Sequence, residues 1–191
     1  MRNSALINLN VLDACHKRSA ARIFYSSSAC IYPAYNQENP RDPKCSEDSA
    51  YPAAPDSEYG WEKLFSERMC RHFREDFGLL TRVARFHNVY GPHGTWEGGR
   101  EKAPAAICRK IIHAQASGNH EIEVWGTGEQ TRSFMYIDDC IHGIDRITHS
   151  DIEEPINLGS SELTTIDGLT DLVADIAGRL KAIAARDPEA I

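Results

Sequence analysis

A tyrosine and a lysine four residues apart, Tyr59 and Lys63 in the segment YGWEK, are the residues of this sequence best suited to acid–base chemistry. Side chains at positions i and i+4 lie on the same face of a helix. A neighbouring ammonium stabilises a phenolate and so lowers the pKa of the tyrosine, which makes the phenol usable as a base near neutral pH. The alternative is a solvated helix face, because the pair alone is a weak motif.

Three serines, Ser26 to Ser28, end an apolar stretch that starts at Arg22 and is predicted to be a buried strand. Open α/β sheets bind ligands just beyond the carboxyl ends of their strands, so these hydroxyls are placed where a ligand is expected. The next segment, residues 32–56, contains five prolines among polar residues and is predicted to be an ordered loop or lid. This loop joins the serines to Tyr59.

Helical and alternating hydrophobic patterns predict an α/β protein. The predicted elements are a helix at 3–17, a strand at 22–27, a helix at 59–76, a strand at 79–86, a helix at 104–116, strands at 122–125 and 134–137, a helix at 138–148, a strand at 156–158, and a final helix with an apolar stripe from Leu169 to Leu180 and Ile183. Thr164, three residues before Asp167, is the predicted cap of the final helix. Gly78 is predicted to end the helix that carries Tyr59.

The composition of the 191 residues, 41% of them apolar, indicates a globular protein of one domain or parts of two. A net charge of -7 without a Lys- or Arg-rich run argues against nucleic acid and anionic membranes as partners. No stretch approaches the ~20 apolar residues of a membrane span, and the first residues lack a signal-peptide pattern, so a cytoplasmic protein is expected. The six cysteines are widely spaced, which predicts free thiols and no metal site.

Five segments together resemble the extended short-chain dehydrogenase/reductase family of NAD-dependent nucleotide-sugar epimerases and dehydratases. In chain order they are SSACIYP, YGWEKL, RFHNVYGPHGTWEGGREKAPAA, VWGTGEQTRSFMYIDDC and INLGS. The resemblance implies an incomplete Rossmann-like doubly wound parallel sheet plus part of a small α/β substrate domain. The implied boundaries are residues 1–90 for the C-terminal half of the NAD-binding domain, and 91–191 for a truncated, mainly substrate-binding region with some returning Rossmann elements.

By the same resemblance, Ser28 hydrogen-bonds the substrate hydroxyl and Tyr59 removes its proton. Lys63 stabilises the tyrosine phenolate and also holds the nicotinamide ribose. The implied NAD contacts are Ser26, Tyr59 and Lys63. The elements SSAC and REKAPAA favour the branch that epimerises GDP-mannose at C3 and C5 over relatives that act at C4 or remove water. A GDP-sugar is therefore the predicted partner, and a homodimer is one possible assembly.

Epimerisation at C3 and C5 needs two further acid–base groups, because oxidation of C4 to a ketone acidifies the neighbouring C–H bonds. The resemblance assigns these roles to Cys30 and Lys102. A thiol has an ordinary pKa near ~8.5, which a nearby cation can lower, and a lysine can act as an acid, or as a base if burial lowers its pKa. The simpler alternatives are a small buried hydrophobic residue at Cys30 and a surface cation at Lys102.

The predicted substrate contacts are Asn88, Glu101, Lys102 and Arg132. Asn88 follows a strand and suits the sugar or its phosphate, with a turn residue as the alternative. Arg132 suits the diphosphate or ribose, with an ion pair to an acidic residue such as Asp138 as the alternative. Trp96 and Trp125 are predicted to be packing residues.

A doubly wound dinucleotide-binding fold begins with a strand, a Gly-rich turn and a helix whose N-terminus holds the pyrophosphate. No segment before Ser28 has that pattern, so either the chain binds no dinucleotide or the first half of the fold lies outside this sequence. The alternatives to the GDP-mannose epimerase are another nucleotide-sugar epimerase or dehydratase, and a catalytically silent remnant. An incomplete sheet would expose edges and apolar faces, which predicts self-association.

Overall fold

The computed structural model describes residues 1–39, 42–119, 121–178 and the backbone of 183–187. The helices are α1 (Arg2–Lys17), α2 (Glu58–Phe77), α3 (Ala103–Ser117), α4 (Ile137–His149) and α5 (Ile166–Ile176). The strands are β1 (Ile23–Ser28), β2 (Thr81–Phe86), β3 (Asn88–Tyr90), β4 (Glu121–Trp125), β5 (Thr131–Tyr136), β6 (Ile156–Leu158), β7 (Leu163–Thr165) and β8 (Ile183–Asp187). Among these helices, none is long and apolar enough to cross a bilayer.

The backbone contacts divide the chain into two units. The first comprises Met1–His87 and Asp138–Gly159, and the second comprises Asn88–Ile137 and Ser160–Ile191. The functional division at residues 1–90 and 91–191 stays a prediction.

The first unit is built on a three-stranded parallel sheet in the order β1-β2-β6. β1 pairs with β2 along its whole length, from Ile23 opposite Thr81 to Ser28 opposite Phe86. β6 pairs with the second half of β2, with Leu158 opposite Phe86. The three strands therefore end at one edge of the sheet. The predicted α/β class with a Rossmann-like parallel sheet is confirmed.

Helices cover both faces of this sheet. Successive side chains of a strand point to opposite faces, and Val83 of β2 packs on one face against Phe73 of α2. Leu158 of β6 lies beside Phe86 on the opposite face, where a Cβ added to Gly143 of α4 would be 2.4 Å from the Leu158 side chain. A parallel sheet between helices on both faces is the doubly wound arrangement.

Helix α2 begins and ends where its sequence indicates. Ser57 is the N-cap, and its hydroxyl accepts a hydrogen bond from the backbone N–H of Gly60 at 3.2 Å. Gly78 ends the helix with a φ of 70°, a conformation that glycine adopts without steric cost. The predicted helix, Tyr59 to Asp76, is therefore one residue short at each end.

The proline-rich segment, residues 32–56, is an ordered loop in its described part, as predicted. It contains short 3-10 helices at Ala34–Gln37 and Glu47–Ala50. Tyr32 at its start is fully buried and packs against α2. Pro40 lies outside the described residues.

The second unit contains two small groups of paired strands. β5 pairs in parallel with β3 and antiparallel with β7, while β4 pairs in parallel with β8. Strand β4 alternates exposed and buried residues, so Ile122 and Val124 face the core between α3 and α5. The buried residues of this core are Ile107, Ile111, Ala114, Ile122, Val124, Leu169 and Ala174.

Several predictions for the second unit were wrong or incomplete. The three-residue strands β3 and β7 were not predicted, although the equally short β6 was. The final helix α5 ends at Ile176, and Ile183 begins β8 instead of extending the helix. Leu180 lies outside the described residues. The N-cap of α5 is Thr165, whose side chain accepts a backbone hydrogen bond, and not Thr164.

The two tryptophans of the second unit are surface residues. Trp96 is 54% exposed and Trp125 is 65% exposed, so the prediction that they are packing residues was wrong. The Lys110 ammonium lies 5.5 Å from the centre of the Trp125 ring, a cation–π contact at an exposed site.

Candidate active site

The end of β1 and the first turn of α2 approach each other closely at Gly60. A Cβ at this position would be 2.2 Å from the carbonyl oxygen of Cys30 and 2.9 Å from the Cβ of Pro55. Any larger residue would push α2 away from Ala29–Ile31, the short 3-10 helix that follows β1. The glycine therefore sets the distance between Tyr59 and the end of β1.

Ser28, Cys30 and Tyr59 lie together at this junction. The Ser28 hydroxyl oxygen accepts a hydrogen bond from the backbone N–H of Cys30 at 3.2 Å, which caps the 3-10 helix. Cys30 is exposed, and Tyr59 is 52% exposed. Cys30 is thus an accessible thiol, and the alternative of a buried hydrophobic residue does not describe it.

Lys63 lies beside Tyr59, one helical turn further along α2. Its ammonium donates a hydrogen bond to the carbonyl oxygen of Ser26 at 2.7 Å. It is also 5.7 Å from the centre of the Tyr59 ring and 4.9 Å from the centre of the Tyr25 ring. Burial lowers the pKa of Lys63, and the charge of Glu62 offsets part of this effect. The phenol and the ammonium are therefore neighbours at the carboxyl end of β1.

The pKa of Tyr59 in this chain is raised, and the expectation that Lys63 lowers it was wrong. Burial raises the pKa of Tyr59, a hydrogen bond with Ser28 lowers it, and the charges of Cys30 and Glu62 raise it. Burial is the largest of these effects, because it penalises the phenolate directly. In this state the phenol is a proton donor at neutral pH.

A buried ion pair ties α2 to β2. Arg85 Nη2 lies 2.9 Å from Glu67 Oε2, and both side chains are 4% exposed. The Ser27 hydroxyl donates to Glu67 Oε1 at 2.5 Å. Sequence reasoning missed this pair. Two features of the sequence could have indicated it. Glu67 lies one turn after Lys63 on the same helix face, and Arg85 lies inside an apolar strand.

The ion pair continues into the proline-rich loop. Arg85 Nη1 donates to the Tyr32 hydroxyl at 3.2 Å and to the Glu47 carbonyl oxygen at 2.9 Å. The Tyr32 hydroxyl donates to Asn157 Oδ1 at 2.7 Å, and His87 Nε2 lies 3.2 Å from the same oxygen. These bonds fix the loop to the ends of β2 and β6, next to the Tyr59 site.

Lys102 lies in the second unit, as the N-cap residue of α3. With Arg100 it lines a cavity of about 300 Å³, whose other walls include Tyr90, Thr95 and Ile137. Two exposed cations in one cavity suit an anionic group such as a phosphate.

Glu101 points into an internal ion pair. Its Oε1 accepts a hydrogen bond from Arg109 Nη2 at 2.7 Å, and its side chain is 8% exposed. Arg109 Nε donates to the carbonyl oxygen of Trp96 at 2.9 Å. Bonds from its own backbone N–H and from Arg109 hold the pKa of Glu101 below its ordinary value. Glu101 therefore braces the glycine-rich loop against α3, and its contact with substrate stays a prediction.

Asn88 and Arg132 each donate a hydrogen bond to a backbone carbonyl oxygen of the second unit. The Asn88 amide donates to the carbonyl oxygen of Ser133 at 3.1 Å. Arg132 is exposed, and its guanidinium donates to the preceding carbonyl oxygen at 2.7 Å. Their substrate contacts stay predictions.

The predicted site residues are distributed over both units. The first unit holds Ser26, Ser28, Cys30, Tyr59 and Lys63, and the second holds Asn88, Glu101, Lys102 and Arg132. The structure thus brings together the serine, thiol, phenol and first ammonium. The predicted cooperation of Cys30 with Lys102 stays a prediction.

Comparison with known proteins identifies the family. The sequence pattern of the NAD dependent epimerase/dehydratase family matches residues 1–159. The chain belongs to this family. The resemblance inferred from the five sequence segments is therefore confirmed.

Several curated relatives match nearly the whole chain. GDP-mannose 3,5-epimerase of Arabidopsis thaliana is 47% identical over 173 residues, which are 91% of this chain and 45% of the relative. GDP-mannose 3,5-epimerase 1 of Oryza sativa subsp. indica is 47% identical over 179 residues, 94% of this chain and 46% of the relative. Probable GDP-L-fucose synthase 1 of Oryza sativa subsp. japonica is 32% identical over 176 residues, 90% of this chain and 52% of the relative. The chain spans about half the length of these relatives.

Solved structures of the same fold also match. A GDP-L-fucose synthetase from Naegleria fowleri superposes with a TM-score of 0.86 at 20% identity, covering 98% of this chain and 59% of that one. UDP-glucose 4-epimerase from Thermotoga maritima superposes with a TM-score of 0.77 at 22% identity, covering 95% and 55%. At these identities the likeness shows the fold alone.

Proposed function

We propose that this chain carries the catalytic residues of an NAD-dependent epimerase of nucleotide sugars that acts on GDP-mannose at C3 and C5. The observation that supports it most is the grouping of Ser28, Cys30, Tyr59 and Lys63 at the carboxyl end of β1. The identity of 47% to two plant GDP-mannose 3,5-epimerases favours this sugar over those of other relatives.

In the first step, the groups around Tyr59 remove the proton of the C4 hydroxyl. The Ser28 hydroxyl orients that substrate hydroxyl, and Tyr59 accepts its proton. Lys63, next to the phenol, stabilises the phenolate that must form before the proton is accepted. Because burial raises the pKa of Tyr59, the base requires additional positive charge from the bound ligands.

The residues present fit the reactive end of a dinucleotide. Tyr59 and Lys63 offer a hydroxyl and an ammonium for the nicotinamide ribose, close to the end of β1. Both residues lie at the nicotinamide end of the proposed NAD site. When bound, NAD accepts the hydride from C4 and later returns it, and its positive charge favours the Tyr59 phenolate.

The second step moves protons at the carbons that flank the C4 ketone. Cys30, which is exposed beside Tyr59, is proposed to exchange a proton with one face of the sugar. Lys102, with Arg100, lines a cavity that suits a sugar bearing phosphate, and is proposed to serve the opposite face. A thiol and an ammonium can each donate a proton, and the thiolate and the amine can each accept one, so the two groups suit a donor–acceptor pair.

The test is solvent exchange at the sugar. The 191-residue chain is first titrated with NAD, and the saturated protein is incubated with GDP-mannose in D₂O. Deuterium at C3 and C5, detected by NMR, supports the proposal if Tyr59→Phe abolishes it and Cys30→Ala or Lys102→Ala reduces it at least about tenfold. UDP-glucose and dTDP-glucose are the parallel substrates.

Three outcomes contradict the proposal. An NAD-saturated chain that exchanges no carbon-bound proton of GDP-mannose is not this epimerase. Exchange with UDP-glucose alone identifies a different nucleotide-sugar enzyme of the same family. A chain that binds no NAD at any concentration fits the silent remnant.

A further inference from the structure

A buried tyrosine, Tyr32, lies two residues after Cys30 and takes no part in the proposed chemistry. It is 0% exposed and belongs to the cluster of buried residues that includes Leu64 of α2. Its backbone N–H donates to the carbonyl oxygen of Ala29 at 3.2 Å, which closes the 3-10 helix that contains Cys30. The positions of Tyr32 and Cys30 are therefore coupled through one turn of backbone.

The hydroxyl of Tyr32 is bonded to two side chains of the parallel sheet. It donates to Asn157 Oδ1 at 2.7 Å and accepts from Arg85 Nη1 at 3.2 Å. Arg85 of β2 and Asn157 of β6 lie opposite each other on neighbouring strands. Both partners of the hydroxyl thus belong to the same rigid part of the first unit.

The orientation of the Asn157 amide fixes the direction of these bonds. Its Nδ2 donates to the carbonyl oxygen of Cys45 at 2.8 Å, an atom that can only accept. Its Oδ1 therefore faces Tyr32, and it also lies 3.2 Å from His87 Nε2. Because an amide oxygen can only accept, the Tyr32 hydroxyl is the donor, and its oxygen remains free to accept from Arg85.

The later part of the proline-rich loop has attachments of its own. Arg85 Nη1 donates to the carbonyl oxygen of Glu47 at 2.9 Å, and the backbone N–H of Asn157 donates to Glu47 Oε1 at 2.9 Å. Neither bond involves Tyr32. The Tyr32 hydroxyl therefore serves the end of the loop that is joined to Cys30.

We propose that Tyr32 is a positioning residue for the thiol of Cys30, because its bonded hydroxyl fixes the segment that places this thiol beside Tyr59. The inference rests on the proposed function for the meaning of the thiol, but the anchor itself is a property of the folded chain. Cys30 is exposed, and its backbone N–H bonds only to the hydroxyl of Ser28. A displacement of about 1 Å can slow a reaction about a hundredfold, so an exposed acid–base group needs a buried anchor.

Tyr32→Phe removes the hydroxyl and keeps the ring. The Arg85 guanidinium carbon lies 5.2 Å from the centre of that ring, and Arg85 keeps its bond to Glu47 in the variant. Tyr35→Phe is the matched control, because it makes the same change in the same loop. Tyr35 is 51% exposed, and its hydroxyl donates to the carbonyl oxygen of Pro52 at 3.3 Å.

The first measurement is amide hydrogen exchange of the ligand-free 191-residue chain, followed by NMR. In Tyr32→Phe the Cys30 amide should exchange about five- to tenfold faster, the effect of one lost hydrogen bond on a local opening equilibrium. The amides of Gly60 on α2 and Val83 on β2 should keep their wild-type rates. Tyr35→Phe should change none of the three.

The second measurement asks whether Tyr32 acts through Cys30. Deuterium exchange at C3 and C5 of GDP-mannose is compared in the NAD-saturated wild type, Tyr32→Phe, Cys30→Ala and the double variant. Tyr32→Phe alone should lower the exchange about tenfold and change KM for the sugar less than about twofold. In the Cys30→Ala background it should have no further effect, which is the non-additivity expected of residues that act as a unit.

The proposal is overturned if the Cys30 amide keeps its wild-type rate in Tyr32→Phe, or if Tyr35→Phe accelerates it equally. Equal acceleration at Val83 would show a general loss of stability and would also overturn it. So would a further loss of sugar exchange when Tyr32→Phe is added to Cys30→Ala. If the wild type exchanges no sugar proton but the Cys30 amide responds as expected, the proposed function is rejected and the anchoring role of Tyr32 stands.

Discussion

The Tyr59 site of the first unit and the Lys102 cavity of the second hold their polar groups in different ways. Behind Tyr59, Arg85 and Glu67 form an ion pair whose side chains are 4% exposed, and further hydrogen bonds connect it to β1 and to the proline-rich loop. In the second unit, Lys102 and Arg100 are exposed beside a glycine-rich loop. Glu101 and Arg109 brace that loop from one side.

This difference suits two different tasks. A group that removes a proton must be placed within tenths of an ångström before the substrate arrives, and a buried, fully bonded network provides this rigidity. A group that receives a flexible, charged ligand benefits from accessible cations on a mobile backbone. We therefore expect substitutions behind Tyr59 to cost more stability than substitutions around Lys102.

Arg85→Ala should produce the largest loss. It leaves the Glu67 carboxylate buried without its cation, which costs about 3–5 kcal/mol of unfolding free energy. Urea denaturation measures the loss of unfolding free energy. Hydrogen exchange of peptides from each unit shows where in the chain the loss occurs. The exchange of β1 and α2 should accelerate most.

Arg109→Ala is the matched substitution in the second unit. Because the Arg109 side chain is 25% exposed, its removal lets water reach the Glu101 carboxylate, so the loss should be smaller than at Arg85 and confined to the glycine-rich loop and α3. Equal losses for the two arginines would contradict the contrast between the units.

Gly60→Ala should have the next largest effect. The new methyl group would meet the carbonyl oxygen of Cys30, a backbone atom that cannot move without shifting the 3-10 helix. A cost of about 1–3 kcal/mol is expected, together with a weaker contact between Tyr59 and Ser28. Urea unfolding and the pH titration of Tyr59 measure the two effects.

Gly168→Ala is its control in the second unit. Both glycines occupy the third position of a helix and donate to a capping hydroxyl, Ser57 for Gly60 and Thr165 for Gly168. At Gly168 a Cβ would meet only side-chain oxygens, at 3.1 and 3.2 Å, and the helix propensity of alanine offsets the adjustment. A large loss at Gly168 would show that the position in the helix, and not the Cys30 carbonyl, decides the cost.

The helices and the two longer strands of the first unit could be predicted from the sequence because each is long and has local signals. Helix α2 carries a capping serine, an amphipathic pattern and a terminal glycine, and the Tyr59–Lys63 spacing placed both side chains on one face. The direction of the Tyr59 pKa could not be predicted, since it depends on burial by residues distant in the chain.

Long-range contacts explain the other omissions as well. The pair Arg85–Glu67 joins residues on different elements, and neither residue reveals its partner in the sequence. The ion pair of Glu101 with Arg109 on α3 was likewise not predicted. In the second unit, three-residue strands and the end of α5 are set by pairing and not by local pattern.

The capping residues should show no contrast between the units. Ser57→Ala and Thr165→Ala each remove one side-chain acceptor for the first turn of a helix. Each is expected to cost about 1 kcal/mol, because a cap acts locally whatever the burial behind it. Hydrogen exchange at the amides of Gly60 and Gly168 is the measurement. A cost at Ser57 several times that at Thr165 would show that the first unit amplifies even local changes.

Glu101 should give the second unit a small sensitivity to acid. Its pKa in the folded chain is held below the ordinary value of 4.5 by its backbone N–H and by Arg109. A carboxyl group with a lowered folded pKa contributes stability above its unfolded value, and that contribution is lost as the pH falls through the folded value. Protection of the Gly91–Gly99 loop should therefore be complete at neutral pH and decrease below about pH 4.5. Glu101→Gln should show weaker protection at neutral pH and little further change on acidification, as measured by exchange protection factors from about pH 7 to 3. An identical acid profile in Glu101→Gln would assign the sensitivity to other carboxylates. It would also show that the Glu101–Arg109 pair does not stabilise the glycine-rich loop.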